Sequence, residues 1–216
     1  MDPKELILLE KGLERLGLAT PNLQTYLERF LYELERWNPQ FGFVHASGKD
    51  LIVKHVLDSL AAATFFRSLD PLRIADLGSG AGFPGIPLAL ALPHIHFTLI
   101  EPSQKRVTFL KTVQSLLQLN NLRIWEKDLA YLGRHLSKDQ RFPCVTFRAF
   151  NTLTSKGLKQ LLGILQEGGS IVAYKGKRMH VEQEASLAES IGLRAQIVHL
   201  SVPFLKEERN LLWISW

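Results

Sequence analysis

The chain has a single cysteine, Cys144, in 216 residues. That excludes a disulfide framework and a thiolate-built metal site, and it fits a reducing compartment. Its seven histidines fall at no metal-ligand spacing, so no resident metal is expected. No apolar run approaches the roughly 20 residues needed to cross a bilayer. The N-terminus lacks the basic flank, apolar core and small-residue cleavage site of an export signal. A cytoplasmic protein without membrane attachment is the expectation. Internal repeats, low-complexity segments and a linker long enough to separate two folded domains are also absent. Charge is not one-sided: 26 Lys and Arg stand against 21 Asp and Glu, a net charge of +5. Such a balance admits nucleic acid as a partner without establishing it.

What is present begins with helical signals. Apolar residues make up 46% of the chain, enough for a sizeable core. Asp2-Pro3-Lys4-Glu5 combines a cap, a first-turn proline and an acid placed to bond back, which predicts a helix to about Leu16 with Gly17 as its left-handed terminator. Thr20-Pro21 repeats the cap-and-proline signal. Leu23, Leu27, Phe30, Leu31, Leu34 and Trp37 then recur at helical spacing, and Asn38-Pro39 is read as the end of that helix. A third helix is expected from about Asp50 to Phe66, with Val53, Val56, Leu57, Leu60 and Ala61 on its apolar face and Lys54, His55 and Asp58 free for a polar face or a cleft.

From Arg73 the pattern alternates strand and helix. Strands are predicted at 73–77, 95–100, 122–126, 144–149, 169–175, 195–202 and 210–215. Right-handed βα crossovers are implied, hence a mostly parallel sheet. The last two strands have no helical pattern between them and should form an antiparallel hairpin. The expected architecture is α/β and Rossmann-like, a seven-stranded sheet over residues 69–216 with a helical extension over 1–68 packed on it.

The most informative stretch runs from Arg73 to Leu88. An apolar strand ends at Asp76-Leu77 and breaks into Gly78, Gly80, Gly82 and Gly85, with Phe83, Pro84 and Pro87 leading into an Ala/Leu-rich helix. Gly78, Gly80 and Gly82 permit positive φ and let a ligand lie against bare backbone. Counted from Gly80 the pattern is Gly-x-Gly-x-x-Gly, a dinucleotide fingerprint. Counted from Asp76 it is Asp-x-Gly-x-Gly-x-Gly, the first motif of S-adenosylmethionine-dependent methyltransferases. Either reading needs an acid after the next strand for the ribose hydroxyls, and Glu101 occupies that place. Asp76 favours the second, because a carboxylate there suits a cationic amino-acid ligand and repels a pyrophosphate. Asp76, Gly78, Gly80, Gly82 and Glu101 are therefore candidate residues for S-adenosylmethionine.

A closer similarity runs through Trp37-Asn38, Lys54-His55-Val56-Leu57-Asp58-Ser59-Leu60, the glycine loop with Phe83-Pro84-Gly85-Ile86-Pro87-Leu88, Lys105-Arg106-Val107, Arg148-Ala149-Phe150, Lys175-Gly176 and Glu208-Arg209-Asn210-Leu211. Across nearly its whole length the chain resembles the RsmG (GidB) family of bacterial small-subunit ribosomal RNA methyltransferases. The resemblance implies methyl transfer from S-adenosylmethionine to N7 of a guanine in 16S rRNA. It implies cofactor contacts at Gly78 and Phe83, an adenine bordered by Leu129 and Ala130, and Arg148 beside the transfer cleft. Two positions depart from the family: an acid is usual where Ala130 stands, leaving only backbone contact there, and the run Phe41-Gly42-Phe43-Val44-His45 replaces a Tyr-Asn-Leu-Thr-like segment.

Guanine N7 carries an in-plane lone pair and no proton, so the chemistry asks for alignment and not for a general base. Arg148 and Lys175, at the ends of parallel strands, are the candidate catalytic cations. Asn38, His55, Asp58 and Arg209 are second-line candidates; His55 and Asp58, three apart, serve either the cleft or each other. Lys105, Arg106 and Lys111, and the cluster Lys175, Lys177, Arg178 and His180, are candidate RNA-facing surfaces, the second flanking the expected cleft. The target base must come from a loop or be splayed out, and Phe41, Phe43 and Phe150 are candidates to stack on it. The expected partner is 16S rRNA or the small ribosomal subunit, met by a monomeric enzyme. A methyltransferase for a small molecule or protein, and a non-catalytic cofactor-binding assembly factor, remain the alternatives at this point.

Overall fold

A computed structural model describes residues 1–148 and 153–216. Phe150, one of the three stacking candidates, lies outside the described residues. Helix α1 is Pro3–Arg15 and α2 is Pro21–Phe41. The expected capping box forms: Glu5 N–H donates to Asp2 Oδ1 at 2.9 Å and Asp2 N–H donates to Glu5 Oε2 at 2.8 Å. Thr20 Oγ1 caps α2 by accepting from Leu23 N–H at 3.2 Å.

Helix α2 does not end at Asn38-Pro39. Pro39 lies in the last turn, where a missing N–H costs one bond, and the helix runs on to Gly42, whose φ of 59° makes the left-handed cap. Asn38 does not terminate the helix but anchors the segment beyond it. Its side chain donates to Val44 O at 2.8 Å and accepts from Val44 N–H at 2.9 Å, pinning the chain as it leaves α2. The expected third helix is also interrupted. Gly48–Leu51 (α3) passes into a six-residue π turn, Ile52–Leu57, then Asp58–Leu60 (α4), and after a break at residues 61–62 comes Ala63–Leu69 (α5). The wider π turn rotates α4 relative to its place in an unbroken α-helix. Val53, Val56, Leu57 and Leu60 are buried as expected, and so is Asp58.

The strands are β1 (Arg73–Leu77), β2 (His96–Ile100), β3 (Leu122–Trp125), β4 (Phe142–Phe147), β5 (Leu165–Lys175), β6 (Arg194–Leu200) and β7 (Arg209–Ser215). Between them lie α6 (Gly85–Ala91), α7 (Gln104–Leu117), α8 (Leu129–His135), α9 (Ser155–Ile164) and α10 (Arg178–Ser190). The sheet order is β3-β2-β1-β4-β5-β7-β6. Strands β1 to β5 pair in parallel, whereas β7 is antiparallel to both β5 and β6. Strand β7 thus slots between β5 and β6, the antiparallel terminal hairpin read from the sequence.

Side chains alternate across this sheet. Ile74, Phe97, Cys144, Val172 and Leu211 face a core shared with α1, α2, the π turn, α6 and α7. Ala75, Val145, Ile171, Ala173 and Leu212 face a second core under α8, α9 and α10. The N-terminal helices are continuous with the first core. Gly12 in α1 lies against the π turn so closely that a Cβ there would collide with the Leu57 methyls and lie 3.1 Å from its Cγ. Leu57 is fully buried, so its methyls can give way only against the core around them. Gly12→Ala is therefore expected to destabilise by about 1–3 kcal/mol in urea unfolding; a midpoint equal to wild type would mean that α1 is not seated on the π turn as described.

Candidate active site

The glycine loop connects β1 to α6 over the C-terminal edge of the parallel strands, where α/β folds take ligands. Its glycines divide into two kinds. A Cβ on Gly82 would strike Ile86, and one on Gly85 would strike Leu99 and lie 2.6 Å from Asp76 Oδ2. Those two are required by packing. Gly78 and Gly80 have φ of 65° and 58° and face open space, with only Gly78 O, 3.9 Å from a Gly80 Cβ, nearby. This bare backbone leaves room for a ligand to lie against it.

Two buried acids hold the loop. Asp76 Oδ2 accepts from Gly85 N–H at 3.0 Å, while Asp76 Oδ1 is buried without a hydrogen-bond partner among the described residues. Burial pushes its pKa up to about 7, against the opposing pull first of the nearby Ser79 hydroxyl, which donates to the Asp76 backbone carbonyl at 2.9 Å, and then of the Gly85 N–H. Glu101 accepts from Gly80 N–H through Oε2 and from Ser103 N–H through Oε1, both at 2.9 Å, with Arg106 Nη1 3.7 Å from Oε2. Each Glu101 oxygen keeps a second lone pair. A buried acceptor without a donor, a carboxylate at the end of β2 and an open glycine cradle fit a ligand carrying an ammonium group and a ribose.

Next to the loop, Arg148 follows β4. Its Nη1 donates to Lys54 O at 2.8 Å and to Asp58 Oδ2 at 3.1 Å, and its Nη2 lies 2.7 Å from His55 Nδ1. Arg209, at the start of β7, donates through Nε to Asp58 Oδ1 at 3.1 Å. His55 and Asp58 thus meet at Arg148. Burial raises the Asp58 pKa while the two arginines oppose it; burial and the Arg148 charge lower that of His55 to about 4. The Phe83 ring joins loop and cluster, 5.2 Å from the His55 ring and 5.3 Å from the Arg148 guanidinium carbon. Lys54, His55, Asp58, Arg148, Tyr174, Lys175, Gly176 and Arg209 line a cleft of about 390 Å³.

Lys175 reaches this cleft but is not a free cation: its Nζ is 2.9 and 2.7 Å from the two oxygens of Glu184 on α10. Arg178 pairs with Glu182 at 2.9 Å, leaving Lys177 and His180 as the exposed members of the second basic cluster without an ion pair among the described residues. Phe41 and Phe43 stack on each other at 5.4 Å, and Phe43 packs on Phe109 at 5.2 Å. Both rings are half-buried in the aromatic packing around Trp37, and neither is among the residues that line the cleft. Leu129 and Ala130 open α8 and line a separate groove of about 590 Å³ with Arg134, Lys156 and Lys159. Sequence reasoning missed Tyr174, whose hydroxyl donates to Ser59 O at 2.7 Å, and Glu184, because both act across different elements. Among the described residues no group of three His, Cys, Asp or Glu could hold a metal, and no helix is long and apolar enough to cross a membrane.

The sheet order, the antiparallel β7 and the glycine cradle after β1 define a Rossmann-like methyltransferase. The O-methyltransferase from Bacillus cereus in complex with SAH shares the fold, with a TM-score of 0.66 at 11% identity over 96% of this chain and 97% of that one. The family model for GidB, rRNA small subunit methyltransferase G, matches residues 23–212, and the chain belongs to that family. The Ribosomal RNA small subunit methyltransferase G of Treponema denticola is 35% identical over 96% of this chain and 93% of its own. That of Treponema pallidum is 39% identical over 98% and 95%.

The raised Asp76 pKa has a stability consequence. The folded chain holds a proton there up to about pH 7, whereas the unfolded carboxyl releases it near 3.8. Stability therefore falls as pH rises between those values and levels off above them. In Asp76→Asn the slope from this group disappears, so between pH 5 and pH 8 the unliganded variant should gain about 2 kcal/mol relative to wild type in urea unfolding. Parallel profiles would show that Asp76 stays ionised throughout.

Proposed function

We propose that the chain transfers the methyl group of S-adenosylmethionine to N7 of a guanine in 16S rRNA of the small ribosomal subunit, working as a single chain in the cytoplasm. The observation that carries this reading is the Arg148 guanidinium in a cleft beside the glycine loop, 5.3 Å from the Phe83 ring, with donor hydrogens beyond those that hold it among the described residues. Asp58, the one carboxylate among the described lining residues, is taken up by two arginines. Guanine presents two acceptors, O6 and N7, on its major-groove edge, whereas adenine presents an amino donor beside N7. Donors from Arg148 favour the first and leave the adenine amine without a partner.

Gly78 and Gly80 offer their backbone to the cofactor, Asp76 faces its ammonium group, Glu101 its ribose, and Leu129 and Ala130 its adenine, with Gly82 and Phe83 shaping the loop. When bound, S-adenosylmethionine supplies an electrophilic sulfonium methyl. Guanine N7 needs no deprotonation, so the residues of the cleft act by alignment and by charge. Among the described residues Arg148 retains its Nε–H and one Nη2 hydrogen beyond the bonds that hold it, and these donate to O6 or to an adjoining phosphate. Its fixed charge also disfavours protonation at N7. Lys175, neutralised by Glu184, holds the end of β5 in place and contributes less charge than Arg148.

Small-subunit particles from cells lacking this modification, incubated with labelled S-adenosylmethionine and the chain, are expected to yield label in 7-methylguanosine at one position, with transfer falling steeply as salt rises. Label in another nucleoside, or none despite measured cofactor binding, would contradict the assignment.

A further inference from the structure

Arginine has only donors and keeps its proton in proteins. The 2.7 Å contact between Arg148 Nη2 and His55 Nδ1 is therefore one-directional: Nη2 donates and Nδ1 accepts. An accepting Nδ1 makes the imidazole neutral and puts its single proton on Nε2. The surroundings agree. Burial is the largest influence on His55, the Arg148 and Lys54 charges also oppose a second proton, and Asp50 in α3 is the acid that favours one. Asp58 is bonded to Arg148 and Arg209 and does not bond His55.

The ring is fixed from a second side by Phe83, whose centroid lies 5.2 Å away and which also underlies the Arg148 guanidinium at 5.3 Å. Three acceptors of different kinds thus hold Arg148: the Lys54 carbonyl, the Asp58 carboxylate and the His55 imidazole. Lys54 and His55 lie in the π turn and Asp58 comes directly after it. We propose that His55 is a positioning residue, whose neutral imidazole accepts from Arg148 through Nδ1 and fixes the guanidinium over Phe83. The π turn is then the device that brings a carbonyl, an imidazole and a carboxylate to one guanidinium. Since its only acceptor is spent on Arg148, His55 is no general base, in keeping with a nucleophile that has no proton to lose. This role rests on the proposed guanine-N7 transfer for its consequence, but its geometry can be tested without any substrate.

Nitrogen-15 spectra of the free full-length chain are expected to show His55 as the neutral Nε2–H tautomer, unprotonated to below pH 5, and Arg148→Met should raise its pKa and mix the tautomers. An imidazolium at pH 7 or an Nδ1–H tautomer would overturn the proposal, whatever the substrate proves to be. In transfer assays on small-subunit particles, His55→Ala is expected to lower kcat by about 10- to 100-fold with little change in KM for S-adenosylmethionine. His55→Asn, whose Oδ1 falls near the Nδ1 position, should recover most of that loss, and His55→Gln, whose acceptor lies further out, should not. Equal kcat for His55→Ala and wild type, or rescue by Gln in place of Asn at matched melting temperatures, would overturn the positioning role.

Discussion

The carboxylate of Asp58, held between Arg148 and Arg209, is the contact on which the rest of the site depends. It joins the helical extension, the end of β4 and the start of β7, segments 90 and 151 residues away in sequence. Its side chain is only 4% exposed. Burial of such a charge opposes folding, and two guanidinium partners at 3.1 Å offset that cost. Removing it would leave two arginines facing each other across a partly buried cleft. Removing either arginine would leave a buried carboxylate with half its pairing. The N-terminal helical segment thereby walls the candidate cleft as well as packing on the sheet.

From that contact the order spreads to the cofactor side. Arg148 lies over Phe83, and Phe83 belongs to the glycine loop, whose Gly85 and Gly80 N–H groups donate to Asp76 and Glu101. Phe83 also packs on Phe30 of α2 at 5.3 Å, so one ring ties the loop to the extension. The loop consequently has an inner side, where Gly82 and Gly85 admit Ile86, Leu99 and Asp76, and an outer side, where Gly78 and Gly80 are bare. Packing requires the first pair, while the second combines a positive φ with a backbone left open, and a motif written as evenly spaced glycines conceals that difference.

Much of this was legible in the chain because it is local. The capping box at Asp2, the glycine terminators, the β-α alternation and the Asp76 to Glu101 spacing are all decided by residues close in sequence. The strand bounds shifted by a few residues because pairing extends beyond the apolar run, as where β5 starts at Leu165. The features that escaped were decided elsewhere. Pro39 reads as a stop but lies in a last turn that tolerates it. The π turn leaves the apolar spacing of Val53, Val56 and Leu60 intact, so periodicity cannot reveal it. Lys175 reads as a free cation because Glu184 lies on the next helix, and Phe41 and Phe43 read as free rings because Phe109 comes from α7. That His55 and Asp58 converge on one arginine depends on contacts 93 and 90 residues apart.

The most direct measurement is a double-mutant cycle between Asp58→Asn and Arg148→Gln, read in urea unfolding and in transfer to small-subunit particles. The account predicts strong non-additivity: the second substitution should add little once the first has been made, with a coupling of about 1.5–3 kcal/mol in stability. Effects that sum to within about 0.5 kcal/mol would contradict it, because Asp58 and Arg148 would then act independently.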